Sequence, residues 1–144
     1  MSFVCYRTKM LTISAIREIE PSVPYQGIAV LVVEDEALVR LTISDELTEL
    51  GFEVFEAANA GEAVELLKRH REIHVLFTDI DMPGDVDGLQ LAQLVRTRWP
   101  PIKIIVTSGK HSYSHDELPV EGRFIPKPYD TAFVAAAIQE VMRL

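Results

Sequence analysis

The chain has 144 residues, 48% of them hydrophobic and 25% charged, enough for one domain with a full core and too few for two of ordinary size. Its formal net charge of −8 argues against electrostatic binding to nucleic acid or to an anionic membrane surface, both of which need Lys/Arg-rich faces. The one cysteine, Cys5, excludes an intramolecular disulfide and suits a reducing cytoplasm, and charged residues interrupt the apolar stretches of residues 1–26, so neither a signal-peptide core nor a membrane span is expected there.

Residues 1–26 stand apart from the pattern that follows. Phe3 to Glu20 reads either as one helix, with Met10, Ile13 and Ile16 at helical spacing ahead of Pro21 and Pro24, or as a leader without fixed structure; Met10 is also an alternative start. From Gly27 to Leu144 the pattern is regular and predicts a single domain, with residues 1–26 as an N-terminal extension. Ile28 to Val33 is a continuous apolar run ending in Glu34-Asp35-Glu36, a buried strand followed by a helix over Ala37 to Leu50. Phe52 to Ala57 alternates apolar and acidic residues as an edge strand does, and Asn59 is placed to cap a helix from Ala60 to His70.

The third strand, Ile73 to Asp79, ends on a carboxylate and breaks at Pro83-Gly84; a helix follows from Leu89 to Arg98, stopped by Pro100-Pro101. Ile102 to Thr107 is a fourth strand running into Ser108-Gly109, and Gly122 to Pro126 a fifth running into Lys127-Pro128. Between Gly109 and Phe124 there are too few apolar residues for a docked helix, so a loop or one short helical turn is expected there. The closing helix spans Thr131 to Met142 behind an Asp130 cap. Strands alternating with helices predict a doubly wound α/β fold with a five-stranded parallel sheet.

In such a sheet all strands point the same way, so residues just past their carboxyl ends converge in one crevice. Glu34 and Asp35 come from the first strand, Asp79 from the third, Thr107 and Ser108 from the fourth, and Lys127 from the fifth. Clustered carboxylates raise one another's pKa unless a cation is present, and Mg²⁺ is the hard, oxygen-seeking ion that suits a few carboxylates plus a phosphate oxygen. The absence of a glycine-rich loop after the first strand excludes the usual nucleotide-phosphate cradle. A carboxylate beside Mg²⁺ and an ammonium is instead suited to attack phosphorus, with Lys127 and a hydroxyl stabilising the phosphoryl oxygens.

The motifs Val30-Leu31-Val32-Val33-Glu34-Asp35-Glu36, Thr78-Asp79-Ile80-Asp81-Met82-Pro83-Gly84 with Asp87-Gly88, Val106-Thr107-Ser108-Gly109 and Phe124-Ile125-Pro126-Lys127-Pro128 together resemble the receiver domain of two-component response regulators. The resemblance covers Gly27 to Leu144 and implies a flavodoxin-like receiver fold. It implies that Asp79 is the phospho-acceptor, taking a phosphoryl group from a sensor histidine kinase or a histidine phosphotransfer protein. Glu34 and Asp35 match the acidic pair that holds Mg²⁺ with Asp79, and Asp81 matches the residue whose backbone carbonyl completes the metal shell. Lys127 matches the phosphoryl-pairing lysine, in a Lys-Pro bond typically cis in the family. Ser108 best matches the switch hydroxyl, with Thr107 the alternative, and Phe124 matches the switch aromatic. Asp81 and Lys110, each two residues past a site residue, are expected to bridge over the phosphoryl group and modulate its lifetime.

Three departures from the family pattern stand out. The loop from Met82 to Gly88 is acidic and one residue longer than usual; Glu34 stands where Asp is commoner; and the connection after Gly109 is short. The pattern carries no output domain after the last helix, so the expectation is a stand-alone receiver, a cytoplasmic switch and not a turnover enzyme, acting on a protein target the sequence does not name, with homodimerisation left open. Two alternatives are a receiver-fold interaction module independent of phosphorylation and a phosphatase resembling the haloacid dehalogenases, suggested by Asp79-Ile80-Asp81. His111 and His115 have a spacing that zinc accepts, although solvated surface histidines are the expectation.

Overall fold

The structure, a computed structural model, describes residues 25–114 and 116–143. The reading of Phe3 to Glu20 therefore lies outside the described residues, as does His115. Five strands alternate with four helices: β1 (Ala29–Val33), α1 (Ala37–Glu49), β2 (Glu53–Ala57), α2 (Ala60–Arg69), β3 (Val75–Asp79), α3 (Gly88–Arg98), β4 (Lys103–Ser108), β5 (Arg123–Pro126) and α4 (Thr131–Met142). The sheet order is β2-β1-β3-β4-β5, and every pairing is parallel. The alternating strand is indeed an edge, with Glu53 and Glu56 exposed.

Side chains alternate across a strand, which divides the central apolar runs between two cores. Leu31, Val33, Leu76, Ile104 and Val106 face the helices α2 and α3, where they meet Ala63, Leu67, Leu91 and Val95. Val30, Val32, Val75, Phe77, Ile105 and Ile125 face α1 and α4, where they meet Ile43, Leu47, Val134 and Ile138. The strands β1 and β3 are buried along their whole length on both faces, as continuous apolar runs require.

The helix starts follow local chemistry. The Asn59 side chain accepts from the Glu62 backbone N–H at 2.8 Å, and Asp130 accepts from Phe133 at 2.8 Å. A capping box that the sequence reading did not identify starts α3 one residue earlier than expected: Asp87 accepts from the Gln90 N–H at 2.9 Å while Gln90 Oε1 accepts from the Asp87 N–H at 2.9 Å. Among the described residues no helix lies between β4 and β5. Leu118 and Val120 instead insert into the core on the α2/α3 side, and Arg96 pins this loop by donating to the Glu121 carbonyl at 2.6 Å. No helix among the described residues is long and apolar enough to cross a membrane.

Candidate phosphoryl-acceptor site

The sheet positions its chemistry by parity. Glu34 follows β1, Asp79 ends β3 and Lys127 follows β5, each an even number of residues from Val32, Phe77 and Ile125, so all three lean toward the α1/α4 face at the carboxyl edge. Lys127 Nζ donates to Glu34 Oε1 at 2.9 Å and to Asp79 Oδ2 at 3.1 Å. The other oxygens are held by backbone: Glu34 Oε2 accepts from the Glu36 N–H at 3.2 Å, and Asp79 Oδ1 from the Asp81 N–H at 3.0 Å. Arg40 Nη1 donates to the Glu34 carbonyl at 2.7 Å and ties the first turn of α1 to the same edge.

Glu34 and Asp79 are buried, at 3% and 4% exposure. Burial pushes the Glu34 carboxyl above its usual range, against the lowering pull of the Lys127 hydrogen bond. For Lys127 burial alone acts downward, but hydrogen bonds and charge from Glu34 and Asp79 outweigh it and hold the ammonium above its ordinary pKa. Lys127 is therefore a fixed cation lodged between two carboxylates. The Lys127-Pro128 peptide bond is cis, and the Lys127 N–H donates to the Ser108 carbonyl at 3.0 Å, extending the β4/β5 ladder to the site.

One carboxylate oxygen from each of Glu34, Asp35 and Asp79 lies within 4.8 Å of the others. An all-oxygen, all-anionic donor set with a half-exposed member, Asp35, fits a hard divalent cation such as Mg²⁺ that keeps part of its water shell. The burial of Glu34, with its carboxyl pushed upward, is the electrostatic load such an ion relieves.

The two β4 candidates separate cleanly. Thr107 pairs in register with Asp79, yet its buried Oγ1 has no hydrogen-bond partner. The next residue faces the other way: Ser108 Oγ donates to Asp81 Oδ2 at 2.6 Å and accepts from the backbone N–H groups of Lys110 at 3.0 Å and His111 at 2.9 Å. Ser108, and not Thr107, is thus the hydroxyl tied into the site's polar network. Lys110 is exposed, and its one hydrogen bond to the site is its backbone N–H to Ser108 Oγ. His111 makes a side-chain contact, with Nδ1 3.0 Å from Asp81 Oδ1. The His111 ring is solvent-exposed, as expected of a surface histidine, but its contact with Asp81 is not foreseen from sequence; its closeness to Ser108 in the chain is the available signal. Phe124 is half-buried and packs edge-on against Tyr113 with centroids 5.7 Å apart, so an aromatic partner supplies the packing that a phenylalanine lacking a hydroxyl needs.

Gly88 explains how α3 approaches so closely. A Cβ there would overlap the Asp79 carbonyl oxygen and lie 2.7 Å from its carbon and 2.8 Å from Ile80 Cα. On the opposite side a groove of about 1180 Å³ opens between α1 and the start of α4, lined in part by Lys127 and by Leu38, which is 78% exposed.

The model of the response regulator receiver domain matches residues 30–139. Sensor kinase CckA of Brucella abortus is 33% identical over 134 residues, covering 88% of this chain, and the chain spans 14% of that kinase's length. A chemotaxis protein CheY homolog of Campylobacter jejuni is 31% identical over 118 residues, covering 78% of this chain and 90% of its own. Among solved structures, a response regulator receiver protein from Sinorhizobium medicae is 27% identical with a TM-score of 0.73, covering 85% of this chain and 98% of that one. The response regulator TrrA from Thermotoga maritima, solved in complex with Mg²⁺ and BeF, is 26% identical with a TM-score of 0.68, covering 79% and 98% respectively. A receiver-domain match sets aside the haloacid-dehalogenase alternative, whose paired aspartates close the first strand and not the third. With a matched span of this length and a strand order of 2-1-3-4-5, the chain belongs to the response regulator receiver domain family of two-component systems.

Proposed function

We propose that Asp79 accepts a phosphoryl group from a sensor histidine kinase or histidine phosphotransfer protein, with Mg²⁺ held by Glu34, Asp35 and Asp79 and by the backbone carbonyl of Asp81. The observation that carries this reading is the lodging of Lys127 Nζ 3.1 Å from a buried Asp79 carboxylate that belongs to a cluster of three acids. In the transfer an Asp79 oxygen attacks phosphorus, the P–N bond of the phosphohistidine breaks with its electron pair going to nitrogen, and the histidine, protonated at its other ring nitrogen, leaves as neutral imidazole. Bound Mg²⁺ supplies charge neutralisation at the phosphoryl oxygens.

The chain's own residues do the rest. Lys127 turns from the Asp79 carboxylate to the new phosphoryl oxygens, keeping its contact with Glu34, and the Asp81 N–H holds the second Asp79 oxygen in place. Ser108 reorients toward the phosphoryl group, and Phe124 repacks against Tyr113 as the loop after β4 follows. Water attack on phosphorus later releases inorganic phosphate and restores the carboxylate. The protein acts as a switch that changes a partner-binding face, not as a turnover enzyme.

Incubation with acetyl phosphate and Mg²⁺ followed by intact-mass measurement tests this. One phosphoryl group is expected on the native chain and none on Asp79→Asn. An unmodified native chain refutes the reading in favour of a receiver fold that acts without phosphate.

A further inference from the structure

The Ser108 hydroxyl is fully subscribed: one proton donated to Asp81 Oδ2, and two N–H groups, from Lys110 and His111, received. A hydroxyl has one proton and two acceptor sites, so this residue has no capacity left. Asp81 is held in turn at its other oxygen by His111 Nδ1 at 3.0 Å. The Asp81 carboxylate is 13% exposed, whereas the His111 ring is 54% exposed. An ionised carboxylate only accepts, so His111 must present Nδ1–H to it.

We propose that Asp81 and His111 form a latch that holds the Ser108 hydroxyl away from Asp79, with His111 as a positioning residue acting through Asp81. The idea rests on the phospho-acceptor reading above, and it names what sets that switch's resting bias. A phosphoryl oxygen on Asp79 obtains the Ser108 proton only if Asp81 gives it up, since one proton cannot serve both. Asp81 Oδ2 and the phosphoryl group are therefore direct competitors for one donor. His111 strengthens the resting side by fixing the orientation of the Asp81 carboxylate, leaving Oδ2 aimed at Ser108. This differs from a bridge over the phosphoryl group by Asp81 and Lys110: the Asp81 side chain opposes the switched state, and the Lys110 side chain takes no part.

The test is a set of Mg²⁺–beryllium fluoride titrations on the full chain, followed by NMR, with acetyl phosphate labelling in parallel. Asp81→Ala leaves the backbone carbonyl in place and frees the Ser108 proton, so beryllium fluoride is expected to bind about tenfold more tightly, the worth of one charge-assisted hydrogen bond. His111→Ala is expected to give a smaller gain in the same direction. His111→Asn, whose side-chain N–H takes the place of Nδ1–H, is expected to restore native affinity. Removing a negative charge beside the site also favours an anion by simple field effects, and a double-mutant cycle separates the two. In a Ser108→Ala background the latch has nothing to hold, so Asp81→Ala should then change affinity less than twofold.

An equal gain with and without Ser108 overturns the latch in favour of a field effect. Native-like affinity and labelling in Asp81→Ala and His111→Ala overturn it while leaving Asp79 as acceptor. Failure of the native chain to bind beryllium fluoride or to be labelled overturns the acceptor reading, and the latch with it.

Discussion

Replacing Gly88 by alanine tests the link between packing and the site. The added Cβ would overlap the Asp79 carbonyl oxygen and sit 2.7 Å from the Asp79 carbonyl carbon and 2.8 Å from Ile80 Cα. Ordinary carbon–carbon contact begins near about 3.5 Å, so α3 and the end of β3 must separate by at least about 0.8 Å. Every obstacle is backbone, so no rotamer change absorbs the overlap. Overpacking of this kind costs about 1–3 kcal/mol, and a purely backbone clash belongs at the upper end. For a domain of this size each kcal/mol lowers the melting temperature by roughly 3–5 °C, which predicts a fall of about 10 °C. Since the displaced atoms belong to Asp79 itself, a shift near 1 Å should also slow acetyl phosphate labelling by about a hundredfold. Calorimetry and mass labelling read the two effects. Gly84→Ala provides the contrast: Gly84 has φ +108° and nothing within 4 Å of its Cβ position, so about 1–2 kcal/mol is lost to backbone strain with labelling retained. A Gly88→Ala protein that melts within about 2 °C of the native one and labels at the native rate would refute the close approach.

Three further outcomes are expected. Lys127→Met leaves Glu34 and Asp79 buried together without their cation, at a cost of roughly 3–5 kcal/mol at neutral pH without added metal. With the Glu34 carboxyl already pushed up by burial, the folded variant binds more protons than the unfolded chain between neutral pH and the ordinary carboxyl range. Its stability should therefore rise as pH falls from 7 toward 5, and urea unfolding showing a continuous decrease would contradict this. Thr107→Val removes a buried hydroxyl that has no partner, so urea unfolding should show stability unchanged or raised by about 1 kcal/mol, and a clear loss would reveal a bond the structure does not contain. Asp87→Ala removes one half of the capping box of α3 and should cost about 1 kcal/mol in the same assay, with the Asp79 acceptor still labelled.

The fold was legible because its signals are local. Buried parallel strands need continuous apolar runs, and Ala29–Val33 and Val75–Asp79 are such runs, each broken by polar residues where the sheet ends. Asn59 and Asp130 announced two helix starts by their own hydrogen-bonding groups. The Asp87 cap was hidden in an acidic loop, where a carboxylate that caps a helix and one that faces solvent look alike in sequence.

At the site, sequence by itself determined which groups arrive at the carboxyl edge, because strand direction and a period of two carry Glu34, Asp79 and Lys127 there whatever the loops do. Only the tertiary structure decided what lies beyond the strand ends. Thr107 and Ser108 are adjacent in the chain and both are hydroxyls, and nothing but the register of β4 and the path after it selects Ser108 for the Asp81 network. His111 reaches Asp81, 30 positions away, because no helix among the described residues lies between β4 and β5 to carry it off. Backbone periodicity sets strand-end positions, but loop contacts depend on where both loops go, and one chain's local sequence does not encode that separation.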